Sequence, residues 1–204
     1  WAVLDSASSR KLSWYAMREA YRPRVLHFSG VERKLILIND TGQAWNQTLK
    51  VWLVSQDGQV LESASRDVSL DARSQSSFAL GELFALSDIA TVDGYLIAEL
   101  DGIRTARRVL DKPVKSVCPH NVELAAVIKG NSVMVHVSAQ CFIHELSLLP
   151  ELVALDRVEV SQERITLLPG EEMDLVIECS HSDDAKKVAS QIDDITWSLN
   201  RLMN

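Results

Sequence analysis

The sequence predicts an all-β fold, made of two tandem immunoglobulin-like β-sandwiches preceded by a short N-terminal helix. From Val25 onward, short apolar or alternating runs recur roughly every 8 to 12 residues between turn residues, which is the pattern of a sandwich. Asp111-Lys112-Pro113 interrupts this pattern, and residues 9–22 hold helix formers without Gly or Pro. We therefore predict three parts, namely a helical stub over 1–23, a first sandwich over 24–111 and a second sandwich over 112–204.

The first sandwich is expected to contain seven strands. Asp57-Gly58 and Asp101-Gly102 fit tight hairpin turns, because such turns require a positive φ that Gly and Asp tolerate. Residues 85–90 are expected to form a connection or a short helical turn. The strands are predicted near 24–29, 33–39, 48–56, 59–65, 76–82, 93–100 and 103–109.

The second sandwich is also expected to contain about seven strands. Gly130-Asn131 predicts a hairpin between the first two. Residues 183–193 are polar with helical spacing, so they are expected to form a short helix or a loop. The strands are predicted at 122–128, 132–139, 141–149, 153–160, 164–168, 173–180 and 195–199.

Charge and cysteine content limit the partners. The 204-residue chain has a formal net charge of -7, so it lacks the cationic excess that binds nucleic acid or an anionic membrane surface. Its cysteines are Cys118, Cys141 and Cys179. An odd number leaves at least one thiol unpaired within the chain, and free thiols favour a reducing compartment without fixing the location.

The predicted helix has apolar residues on two sides. Leu12, Ala16 and Ala20 fall on one side of a helical wheel, and Trp14, Met17 and Tyr21 fall on nearly the opposite side. The sandwich that follows can cover only part of this surface. We therefore expect Trp14, Met17 and Tyr21 to form an apolar patch that contacts something outside the chain, and a second copy of the chain is one candidate.

The N-terminal segment and the order of the domains carry a family resemblance. WAVLDSASSRKLSWYAMREAYRPR resembles the last segment of the catalytic barrel of glycoside hydrolase family 2, which precedes an immunoglobulin-like domain. LILINDTGQAW, CFIHELSL and the turn at Leu168 to Glu171 are similar to the sandwiches of the β-mannosidase branch of that family. The N-terminal positions that match are Trp1, Asp5, Lys11, Trp14, Tyr15, Ala16 and Pro23.

The resemblance implies that this chain is the C-terminal part of a longer enzyme and has no catalytic residues of its own. The family's proton donor and nucleophile are glutamates on barrel strands, which precede the segment that matches Trp1. No position in this sequence inherits those roles. The implied partner is the catalytic barrel of the same protein, which would hydrolyse β-mannosides or related β-glycosides by a retaining mechanism.

The residues themselves give no independent sign of catalysis. The adjacent pair Glu171-Glu172 follows Pro169-Gly170 and enters a strand, where consecutive side chains point to opposite faces. The histidines lack the spacing of a zinc site, although His136 and His144 are candidate cross-strand neighbours. We therefore predict no catalytic, metal-binding or cofactor-binding residues. The full set of histidines is His27, His120, His136, His144 and His181.

Trp52 is the candidate for a binding role in the first sandwich. If Leu49, Val51 and Leu53 face the core, Lys50, Trp52 and Val54 lie on the opposite face of the strand. An outward Trp on a sheet either packs against a neighbouring domain or stacks on a sugar ring. The interface interpretation is favoured because aromatic residues concentrate at protein contacts.

Two other functions are consistent with the sequence. The chain is a carbohydrate-binding module of the same parent enzyme if Trp52 stacks on glycans. It is an unrelated tandem immunoglobulin-like adhesion or chaperone protein if its helical start resembles the barrel only by coincidence.

Overall fold

The computed structural model describes residues 2–4, 6, 10–29, 34–84, 91–110, 118–153 and 158–203. They form two compact units. The first unit is Met17–Val114, and the second unit combines Trp1–Ala16 with Lys115–Asn204. The division falls inside the first helix, so the start of the chain is grouped with the last sandwich. Among the described residues, no helix has the length and apolar character needed to cross a membrane.

Helix α1, Leu12–Ala20, precedes an antiparallel sandwich of seven strands in the first unit. One sheet has the order β1-β2-β5 and the other has the order β4-β3-β6-β7. The short helix α2 follows β5, and the connection predicted at 85–90 lies outside the described residues. The elements are β1 Arg24–Ser29, β2 Lys34–Asn39, β3 Trp45–Ser55, β4 Val60–Leu70, β5 Ser74–Ala79, α2 Leu80–Leu83, β6 Gly94–Leu100 and β7 Ile103–Arg108.

Alternating burial places the core of the first unit between its two sheets. Leu35 and Leu37 of β2 face Leu49 and Leu53 of β3 in one apolar cluster, and all four side chains are fully buried. The hairpin turn predicted at Asp101-Gly102 is also present, because both residues adopt a positive φ. The all-β prediction is therefore confirmed for this unit.

Asn39 ends β2 inside the core and explains the NDT motif. Its side-chain amide donates to the carbonyls of Gln43 at 2.8 Å and Asp71 at 2.9 Å, while its side-chain oxygen accepts from the Thr41 hydroxyl at 2.7 Å. The residue is completely buried. The motif therefore fixes the β2 to β3 turn by satisfying a buried polar side chain.

The second unit packs two antiparallel sheets with helices. The sheet orders are β11-β13-β9-β8 and β12-β10-β14. Short 3₁₀ helices occupy Pro150–Val153 and Leu199–Met203. The other elements are β8 Val122–Lys129, β9 Ser132–Ala139, β10 Ile143–Leu148, β11 Val158–Val160, β12 Ile165–Leu167, β13 Glu172–Cys179, α3 Ser182–Ser190, α4 Ile192–Ile195 and β14 Thr196–Trp197.

Two predicted strands of the second unit differ in part from the structure, and one open alternative is resolved. Of the strand predicted at 153–160, Val153 ends a 3₁₀ helix and Val158–Val160 form β11, while residues 154–157 lie outside the described residues. The strand predicted at 195–199 is reduced to β14 and continues as a 3₁₀ helix. Residues 183–193 form α3 and the start of α4, which is the helical alternative. Helix formation there buries Ala185, Val188, Ile192 and Ile195 against the core.

Gly94 provides a test of the packing in the first unit. A Cβ at this position would lie 1.9 Å from the carbonyl oxygen of Val54 on the neighbouring strand. Gly94→Ala is therefore expected to lower the free energy of unfolding by about 3 kcal/mol, measured by chemical denaturation. Gly81→Ala is the control, because a Cβ there meets nothing within 4 Å. Equal stability of the two variants would contradict the close approach.

Candidate functional site

The surface that the sequence predicts as a docking patch has two exposed residues and one covered residue. Met17 is 45% exposed and Tyr21 is 80% exposed. Trp14 is half-buried. The Tyr21 N–H donates to the Met17 carbonyl at 3.0 Å, so Tyr21 continues the last turn of α1. We call Met17 and Tyr21 the exposed helix patch. Its contact with a missing barrel stays a prediction.

Trp14 is covered from within the second unit. The guanidinium of Arg10 lies over the indole ring, 4.2 Å from its centroid. The ring of Tyr15 meets the indole edge to face, with centroids 5.1 Å apart and an interplanar angle of 86°. Cation–π and edge-to-face contacts both favour this arrangement. Trp14 is therefore part of the fold of the segment and is less available to a partner than the sequence predicts.

Arg10 connects the N-terminal segment to the second sandwich. Its Nη1 donates to the carbonyl of Val158 at 3.0 Å and lies 3.4 Å from Glu151 Oε1. Its Nη2 donates to Glu159 Oε1 at 3.1 Å. The Arg10 side chain is only 17% exposed, so these charge-assisted contacts act with reduced screening by water. We call Arg10, Glu151 and Glu159 the arginine anchor.

Tyr15 is a buried side chain next to the arginine anchor. It is 1% exposed, which makes it one of the largest fully buried side chains among the described residues. Burial raises the pKa of Tyr15 far above its usual value, and the negative charges of Glu151 and Glu163 raise it further. Tyr15 therefore stays protonated and fixes which face of α1 points inward.

Sequence reasoning did not identify the packing roles of Arg10 and Tyr15. The wheel of α1 considered the apolar positions on two sides and left Tyr15 out. The resemblance placed Tyr15 in a family motif without giving it a contact. Its partners Glu151 and Glu163 lie far along the chain, so no local pattern marks the pair. Trp1 and Asp5, which belong to the same motif, lie outside the described residues.

Trp52 lies on β3 and is partly covered by Arg104. It is half-buried on β3, and the Arg104 guanidinium lies 5.6 Å from the centroid of its ring. Arg104 is held by Glu99, with a closest N···O distance of 2.6 Å. Lys50 is exposed as predicted, whereas Val54 is fully buried. A contact of Trp52 with a sugar or with another domain stays a prediction.

The acidic residues considered for catalysis have structural roles. Glu171 Oε2 accepts a hydrogen bond from the Leu168 N–H at 2.8 Å and closes the turn that contains Gly170. Glu172 is exposed at the start of β13, where its Oε2 is 3.7 Å from His136 Nε2. The two carboxylates therefore contact different groups and do not form a pair across a cleft.

His136 and His144 occupy different environments. His136 is exposed and its Nδ1 lies 2.8 Å from Asp174, whose hydrogen bond raises the pKa of His136. His144 is buried on β10, with its Nδ1 3.3 Å from the Thr166 hydroxyl. The cross-strand pairing considered from the sequence is not present. Within the described part of the chain, no group of three or more His, Cys, Asp or Glu residues is suited to hold a metal ion.

No family model and no curated protein matches the sequence. Solved structures do match the fold. The β-D-mannosidase from Dictyoglomus thermophilum aligns with 97% of this chain at a TM-score of 0.64 and 14% identity. An exo-chitosanase from Amycolatopsis orientalis aligns with 91% at a TM-score of 0.64 and 16% identity.

The same alignments cover 24% of the mannosidase and 27% of the exo-chitosanase. This chain therefore spans about a quarter of the length of these hydrolases. At such low identity the likeness establishes the fold alone. The resemblance to a region of these glycoside hydrolases is thus confirmed at the level of the fold, including both sandwiches.

The buried His144 makes the stability of the second unit depend on pH. Burial lowers the pKa of His144 to about 4, with the charge of Glu145 opposing the shift and that of Arg164 adding to it. The unfolded chain takes up this proton near pH 6.5, whereas the folded chain does not. Stability is therefore full above pH 6.5 and is expected to fall by about 3 kcal/mol between pH 6.5 and pH 4.

Chemical denaturation at several pH values between 7 and 4 measures this loss. The variant His144→Gln lacks the titrating group and is expected to show a flatter profile over the same range. An unchanged slope in that variant would show that other groups cause the acid sensitivity.

Proposed function

We propose that this chain is the non-catalytic C-terminal region of a β-mannosidase-like retaining glycoside hydrolase, in which its two sandwiches brace the catalytic barrel. The observation that carries the proposal is the alignment of nearly the whole chain with about a quarter of the Dictyoglomus β-D-mannosidase. The motif around Trp14 and Tyr15, which resembles the last segment of a family 2 barrel, supports the same assignment. The active site then lies in residues that precede this chain.

The exposed helix patch is the proposed contact with the barrel. Tyr and Met are enriched at protein interfaces, because they bury a large contact area. The arginine anchor and the buried Tyr15 hold the other side of α1, so Met17 and Tyr21 are presented outward from a supported helix. This arrangement supports a docking role, since an interface side chain loses less entropy when its backbone is already ordered.

The proposed substrate of the parent enzyme is a terminal β-linked mannoside or a related β-glycoside. Related β-glycosides are included as substrates because one of the proteins with a similar fold is an exo-chitosanase. Loops of the barrel set this specificity, since a fold by itself does not determine the substrate. The sandwiches contribute by supporting the barrel and, in the proposal, by holding the elements near its C-terminal end.

A comparison of the same variants in the 204-residue chain and in the longer protein tests this function. The double variant Met17→Ser/Tyr21→Ser removes the exposed helix patch. Its matched control is Val60→Ser/Leu61→Ser, whose residues are 44% and 46% exposed on β4. In the isolated chain, both double variants are expected to change the free energy of unfolding by less than about 1 kcal/mol, because the side chains already contact water.

In the longer protein, the patch variant is expected to destabilise the barrel contact by about 2 to 4 kcal/mol and to lower the Tm, while the control does not. Equal Tm values for the two double variants would contradict docking through this patch. The isolated chain is expected to leave nitrophenyl β-mannoside unhydrolysed, and turnover by the purified chain would contradict the non-catalytic assignment.

A further inference from the structure

Two of the three cysteines lie at the same end of the second sandwich. Cys118 precedes β8 and is buried, whereas Cys141 lies between β9 and β10 and is partly exposed. Neither cysteine is part of a disulfide bond in this structure. Strands β8 and β9 form a hairpin between them, with Val122 paired to Ala139 at its open end. The two cysteines therefore flank the open end of one hairpin.

Hydrogen bonds fix the two cysteine-bearing segments against each other. The Cys141 thiol donates to the Pro119 carbonyl, with an S···O distance of 3.1 Å. The Gln140 N–H donates to the Asn121 carbonyl at 3.1 Å. Residues 119–121 and 140–141 thus run side by side, with contacts at both ends of this short stretch.

Asn200 connects the same segments from the core side. Its buried amide nitrogen donates to the carbonyl of Cys118 at 3.2 Å and to that of Phe142 at 2.9 Å. Its side-chain oxygen accepts from the His144 N–H at 2.9 Å. One buried side chain therefore holds the backbone of Cys118 next to that of the residue following Cys141, which limits how far the two sulfurs can separate.

The thiol of Cys141 is partly buried, and the third cysteine lies far from it. Burial raises the pKa of Cys141, the backbone of Asn121 opposes this shift, and the nearby Cys118 thiol adds to it. Cys179 is excluded from this pair, since it follows Glu178, which pairs with Ser132 at the far end of β9, roughly 20 Å away along the strand.

We propose that Cys118 and Cys141 form a dithiol site that closes to an intrachain disulfide by exchange with a small-molecule disulfide such as oxidised glutathione. The proposal does not depend on the assigned function of the chain. Its basis is the bonds of Asn200 to the backbones of Cys118 and Phe142, the hydrogen bond from the Cys141 thiol to Pro119 and the distance of Cys179 along the strand.

The exchange proceeds in two balanced steps. The more exposed Cys141 loses its proton and attacks one sulfur of oxidised glutathione, which forms a mixed disulfide and releases one glutathione thiolate. Cys118 then loses its proton and attacks the Cys141 sulfur, which forms the protein disulfide and releases the second thiolate. The two protein thiols lose two electrons, and the two glutathione thiolates take up the two protons. Because only the thiolate attacks, the raised pKa of Cys141 makes the rate increase with pH.

Closure encloses the β8–β9 hairpin in a covalent loop and ties the start of β8 to the start of β10. Such a loop restricts the unfolded chain, while the segments that it joins are already adjacent in the folded state. The oxidised protein is therefore expected to unfold at a temperature on the order of 10 °C above that of the reduced protein.

Intact mass and peptide mapping after treatment with excess oxidised glutathione test this site. The wild-type chain is expected to lose two hydrogen atoms, to yield a peptide pair joined through Cys118 and Cys141, and to return to its starting mass with dithiothreitol. Cys179→Ser is the matched control and is expected to behave like the wild type. Cys141→Ser and Cys118→Ser are expected to form no intrachain disulfide and to show no increase in Tm on oxidation.

The wild-type experiment decides the question even if a variant fails to fold. A persistent glutathione adduct on Cys141, a disulfide that includes Cys179, or an intermolecular dimer in place of the internal bond would each overturn the proposal. A disulfide between Cys118 and Cys141 that left the Tm unchanged would overturn its stabilising role.

Discussion

The organisation of the N-terminal segment depends on the contacts that the guanidinium of Arg10 makes. It donates to the backbone of β11, pairs with two carboxylates and covers the Trp14 ring. Because this guanidinium is largely removed from water, its attraction to the two carboxylates is only weakly screened. Loss of Arg10 would leave Glu151 in a partly buried site without its counter-charge. The segment before α1 is thereby built into the second unit, although more than a hundred residues separate it from β11 in the sequence.

This constraint connects the fold with the proposed function. Tyr15 packs inward beside the arginine anchor, so the rotation of α1 about its own axis is set by buried contacts. Met17 and Tyr21 are exposed large hydrophobic side chains at the end of the same helix. In the proposed role, the catalytic barrel covers that patch, and the sandwiches brace the enzyme through a helix that is already ordered.

Local sequence patterns predict the strands of the sandwiches well. They predict the contacts of the N-terminal segment poorly. Alternating apolar residues predict strands such as β1 and β2, because each of these has one buried face, and the Asp101-Gly102 turn predicts the hairpin of β6 and β7. The helical spacing of Ala185, Val188, Ile192 and Ile195 favours the helical alternative for residues 183–193, which the structure shows. By contrast, the burial of Tyr15 depends on surfaces contributed by distant residues. A helical wheel treats the segment alone and cannot represent those surfaces.

The free energy of unfolding of Arg10→Met, measured by chemical denaturation beside Arg22→Met, tests the central claim most directly. Arg22 pairs with a carboxylate on the preceding turn, Glu19, at 2.6 Å, so it controls for the loss of a local ion pair. Arg10→Met is expected to lose about 2 to 4 kcal/mol, because Glu151 then stays partly buried without its cation. Arg22→Met is expected to lose less than about 1 kcal/mol. Equal losses in the two variants would contradict the view that Arg10 holds the N-terminal segment in the second unit.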